Sequence, residues 1–113
     1  MTPDDRIRDL NLVLPEPIKL PPNVEMQFSW IRVSGNRAFV SGHIALNSDG
    51  SVSDIVGKVG EEVTVEEGYE SARQTGLAIL SSLNRELGTL NNISAWIRAV
   101  SYTHLTLPTI LLV

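Results

Sequence analysis

The triplet Ser41-Gly42-His43 holds the residues of this chain best placed to do chemistry. On a strand, Ser41 and His43 point to one face, and Gly42 leaves the backbone bare on the other. A small ligand could approach that backbone and use the hydroxyl and the imidazole as polar lining. A strand with a satisfied serine and an edge histidine accounts for the same residues without any ligand. A Ser–His nucleophilic pair does not follow from the triplet. No orienting acid is identifiable, and one strand aims the two side chains in parallel.

Other constellations point to bland roles. Gly57-Lys58-Val59-Gly60 has the spacing of a phosphate-clamping GxxG loop. Between Ala38 and Ala72, however, seven acids face one base, Lys58. That field repels phosphate, so a bend between elements is the better reading. Glu61-Glu62 and Glu66-Glu67 read as solvated charge around a helix start rather than as paired catalytic carboxylates. His43 and His104 are the two histidines, and they do not form an i, i+4 zinc pair. Trp30 and Trp96 read as core or interface aromatics.

These residues must be positioned by one small domain. The chain has 113 residues, 42% of them hydrophobic, which is ordinary for a folded protein. It has no cysteine, so no disulfide or thiolate metal site forms. The net charge of −4 gives no general attraction to nucleic acid or anionic lipid. The acidic N-terminus lacks the apolar segment of a signal peptide, and no apolar stretch is long enough to span a membrane. A cytoplasmic protein is expected, with neither nucleic acid nor membrane as partner.

Thr2 is placed to cap a short first helix with Pro3 in its first turn. Four prolines between Pro15 and Pro22 then impose an extended segment. Residues 28–33 and 37–46 read as an antiparallel hairpin around Ser34-Gly35-Asn36. Phe39, Val40 and Ile44 place the second strand centrally. Residues 47–51 are a loop of turn formers. The clearest element is a helix from Val65 to Leu87, with a Thr64/Glu67 capping box and Gly88 as its left-handed cap. Val65, Tyr69, Ala72, Gly76, Leu80, Leu83 and Leu87 mark its inward face. Gly76 is expected where that helix closes on the sheet. Residues 93–100 read as a third strand, able to pair parallel to the hairpin after the helical crossover. The fold class is α+β, with a long helix packed on one face of a sheet.

The stretches 28–43, Gly57 to Gly60, and Thr64-Val65-Glu66-Glu67-Gly68-Tyr69 with the helix to Gly88 resemble the RidA family. This family is also called YjgF or endoribonuclease L-PSP-like. The likeness covers residues 1–100 and is greatest to the branch with an N-terminal extension like residues 1–22. It implies a chorismate-mutase-like fold, an antiparallel-dominated sheet with two helices on one face. It further implies a homotrimer with clefts between subunits. The implied reaction is hydrolysis of reactive enamines and imines, such as 2-iminopropanoate, to 2-keto acids and ammonia, with no metal and no organic cofactor.

The resemblance carries Ser41 and Gly42 onto the cleft-lining Ser-Gly of the family. His43 stands where the family usually has Gln. Phe28 stands where deaminating members have Tyr, so the hydroxyl is absent. These four residues are the expected substrate-binding set, and no catalytic residue is assigned. The family's carboxylate-binding Arg, its nearby Asn and its late Glu belong to elements expected after Val100.

The last thirteen residues, 101–113, carry no Asp, Glu, Lys or Arg, whereas the first hundred carry all twenty-two. They resemble translated sequencing-adapter read-through. The expectation is a partial domain over residues 1–100, its C-terminal part missing, followed by a non-native tail and without activity of its own. A divergent final strand is the alternative for the tail. For function, the alternatives are a non-catalytic ligand-binding or interaction module and, in conflict with the acidic middle of the chain, a ribonuclease.

Overall fold

The computed structural model describes residues 1–101 and the backbone of residues 104–105. In chain order the elements are α1 (Pro3–Asp9), β1 (Ile31–Ser34), β2 (Arg37–Val40), β3 (Gly57–Lys58), α2 (Val65–Leu87), a 3₁₀ turn (Leu90–Asn92) and β4 (His104–Leu105). Among the described residues they form two antiparallel two-stranded sheets, β1–β2 and β3–β4. This is an α+β arrangement.

Both helices start as their sequences direct. Thr2 accepts from the Asp5 amide, while the Asp5 carboxylate takes the Thr2 amide. Thr64 and Glu67 make the same reciprocal pair at α2. Gly88 closes α2 in the left-handed conformation, φ +81°, where a side chain would be strained.

The hairpin turns at Gly35-Asn36 and pairs Ile31 with Val40 and Ser34 with Arg37. Its second strand is shorter and less covered than the sequence implied. β2 ends at Val40 and is exposed throughout. The cause is simple: α2 packs on β1 through Ile31 and Leu83, and among the described residues β2 pairs with β1 alone.

The core lies where β1, the C-terminal half of α2 and the 3₁₀ turn meet. Leu83 and Leu90 are each 2% exposed and sit with Ile31. Ile7, Leu14, Trp30 and Leu87 close around them. α1 is fastened to this core by Asp4. Its carboxylate accepts from the Thr89 hydroxyl and from the Leu90 amide at 3.2 Å, and its amide donates to Asn91 Oδ1 at 3.0 Å.

Three further expectations are corrected. Residues 93–100 form no strand and have no parallel partner among the described residues; Ile97 there is 79% exposed. The inward face of α2 matches expectation only in its C-terminal half. Tyr69 is 75% exposed, and Ser71, Ala78, Ser81 and Ser82 are buried instead. Ser81 and Ser82 are tolerated there because their hydroxyls find acceptors, Pro15 O and His43 Nε2. Gly76 borders open space. Gly68 is the close approach, since a Cβ there would lie 2.9 Å from Val59 Cγ2.

Where a bend alone is expected, Gly57 to Gly60 contains the short strand β3. Gly57 pairs with Leu105 and Lys58 with His104 through the backbone. Of the tail, residues 102–103 and 106–113 lie outside the described residues. No described helix is long and apolar enough to cross a membrane.

Candidate functional site

The chain leaves the hairpin ladder at Ser41. The Ser41 amide still donates to Trp30 O at 2.9 Å, one register step beyond β2. The Ser41 hydroxyl turns to Ser29 O at 2.7 Å. Gly42 is exposed, and a Cβ built on it would meet nothing within 4 Å. After this bare step the chain turns inward, and Ala45 and Leu46 are buried. Past the end of β2 the side chains of Ser41 and His43 take different partners, Ser29 O for Ser41 and Ser82 Oγ for His43.

His43 points beneath α2. Its Nδ1 is 2.7 Å from the Ser41 carbonyl and its Nε2 is 2.8 Å from Ser82 Oγ. A carbonyl only accepts, so Nδ1 carries the hydrogen. In the neutral ring Nε2 then accepts from the Ser82 hydroxyl. Burial holds the ring below the ordinary histidine value, and the nearby Arg85 charge pushes the same way. The Ser41 carbonyl favours the charged ring and opposes both.

Arg85 completes the network. Nη2 donates to Ser82 Oγ at 3.3 Å and Nη1 donates to Ser81 Oγ at 2.6 Å. The Ser81 hydroxyl donates to Pro15 O at 2.5 Å. These hydrogen bonds run from the guanidinium through the serines to His43 and to the proline-rich segment. A slot of about 20 Å³ lies beside these groups, lined by Trp30, His43, Leu46, Ala78, Ser82 and Arg85 among others. That is room for about one water molecule.

An aromatic ladder joins the slot to the outside. Trp30 lies 4.9 Å from the His43 ring, and Phe28 meets Trp30 edge-on at 5.0 Å. Phe28 is 48% exposed. The structure thus brings Phe28, Ser41, Gly42 and His43 into one neighbourhood but divides them. Phe28 and Gly42 border solvent, Ser41 is fixed to the backbone of Ser29, and His43 lines the inner slot. Among the described residues no three His, Asp or Glu side chains converge as a metal set.

Sequence reasoning missed Ser81, Ser82 and Arg85. The signal was present: two serines amid Leu80 and Leu83 on the inward face, followed by an arginine three and four positions on, one helical turn away.

No protein-family model, curated protein or solved structure matches the chain.

Proposed function

We propose that this chain is a RidA-like domain that receives a small imino or enamino acid, or the keto acid it yields, on the strip formed by Phe28 and the Ser41-Gly42 backbone. The single observation carrying this reading is the bare, solvent-facing Gly42 beside a Ser41 held at both its amide and its hydroxyl. A planar ligand can lie against such a backbone without displacing a side chain, and the exposed Phe28 face offers it apolar cover.

The reading rests on the family resemblance of residues 1–100 for its substrate class, its chorismate-mutase-like architecture and its trimeric assembly. No metal or organic cofactor is invoked. Within this chain the strip binds rather than turns over. His43 is the neighbouring base, and both of its nitrogens are already engaged, one by a carbonyl and one by a hydroxyl. Proton transfer to a ligand on the strip would require breaking one of these bonds. Phe28 brings no hydroxyl to substitute for it.

The reaction is testable directly. With 2-iminopropanoate generated freshly in the presence of the purified chain, ammonia and pyruvate should form at the uncatalysed rate. Formation that scales with protein concentration would overturn the binding-only part of the proposal.

A further inference from the structure

We infer that Arg85, with Ser81 and Ser82, forms a second small-molecule site, distinct from the Gly42 strip, that takes a short monocarboxylate. Arg85 lies on the exposed rim of the slot, yet its guanidinium is not loose. Two buried hydroxyls, one helical turn earlier, fix Nη1 and Nη2. A guanidinium has five N–H donors, so three remain to be satisfied. Among the described residues, the ion pairs join Arg8 to Asp5, Lys19 to Asp49, Lys58 to Glu61 and Arg73 to Glu70; none involves Arg85. The result is a cation already oriented, with free donors in a planar fork and no carboxylate of its own. A bidentate carboxylate is the group that geometry matches.

The surroundings narrow the ligand. Trp30, Leu46 and Ala78 give the slot apolar lining, and its volume of about 20 Å³ admits a methyl-sized tail. Glu16 also lines the slot, so the local charge favours a monoanion over a dianion. Because orientation by the serines precedes binding, little side-chain freedom is lost when the ligand arrives.

The test is a titration of the ¹⁵N-labelled full chain with sodium acetate, ionic strength held constant with chloride. Saturable shifts are expected at the Arg85 side chain and at Ser81 and Ser82, without matching shifts at Phe28 and Gly42. Arg85→Lys keeps the charge but loses the fork, and should weaken acetate binding by about tenfold, the loss of roughly one good hydrogen bond. Arg32→Gln, on the exposed hairpin, should leave it unchanged. Unsaturable shifts, equal affinity in Arg85→Lys, or tighter binding of inorganic phosphate than of acetate would overturn the inference. If Arg85→Lys fails to fold, the wild-type shift map decides. Shifts confined to the Phe28 and Gly42 strip would overturn this site while leaving the proposed function standing.

Discussion

His43 Nε2 and Ser82 Oγ lie 2.8 Å apart, joining the segment just after β2 to the C-terminal half of α2 across thirty-nine residues of sequence. The Ser41 carbonyl at the other nitrogen fixes the tautomer, so the serine must donate. One neutral imidazole thereby ties together the segment that carries Gly42 and the helix that carries Arg85.

The first consequence concerns pH. The folded ring binds a proton less readily than the unfolded one, whose value is near 6.5. Above that pH both states are neutral and stability is at its full value. It falls as pH drops from there through the lowered folded value. Urea unfolding compared at about pH 7.5 and about pH 5.5 should show the weaker fold at the lower pH, with the difference reduced in His43→Gln. The carboxylates of Asp5 and Asp49, also shifted downward, titrate below this window.

Ser82→Ala removes the donor to Nε2 and the anchor of Arg85 Nη2 at once. A half-buried acceptor without a partner costs about 1–3 kcal/mol. Chemical denaturation should report a loss in this range, and the His43 ring should titrate higher than in the parent.

The helix glycines should respond in opposite ways. Gly76→Ala meets open space and gains helix propensity, so it should stabilise the chain by about 0.5–1 kcal/mol. Gly68→Ala gains the same propensity but drives its Cβ to 2.9 Å from Val59 Cγ2. Its thermal midpoint should therefore lie below that of Gly76→Ala.

The core is small, so single truncations within it should be severe. Leu83→Ala or Leu90→Ala empties a site at the junction of β1, α2 and the 3₁₀ turn. Losses of about 2–5 kcal/mol are expected, a large share of a small domain's stability. Amide exchange at Ile31 would accelerate in both.

The elements with local punctuation were legible in the sequence. α2 runs from Thr64, through its capping box, to a left-handed Gly88 because those signals act within a single turn. The hairpin turn at Gly35-Asn36 was legible for the same reason. Residues 93–100 show why the rest was not. Ile93, Ala95, Ile97 and Ala99 alternate as a strand face does, but alternation describes a face and cannot supply a partner. No described strand pairs with them, and Ile97 stands in solvent.

The N-terminal half of the expected inward face of α2 failed for another reason. Val65 and Tyr69 suggested a face by size yet stand exposed, whereas the buried face adds Ser81 and Ser82 to Leu83, and their hydroxyls reach acceptors far away in sequence, Pro15 O and His43 Nε2. Of the candidate site, Ser41, Gly42 and His43 were visible as a triplet. The turn that sends His43 inward and leaves Gly42 bare was not, because it follows from packing beneath α2.

The central claim is that the bare backbone at Gly42, beside Phe28, receives a small keto or imino acid. Titration of the ¹⁵N-labelled chain with pyruvate, following the Phe28, Ser41 and Gly42 amides, tests it most directly. Saturable shifts at those three amides, abolished by Gly42→Val with the fold retained, are the expected result. Pyruvate binding that leaves these amides unmoved, or that survives Gly42→Val unchanged, would contradict the account.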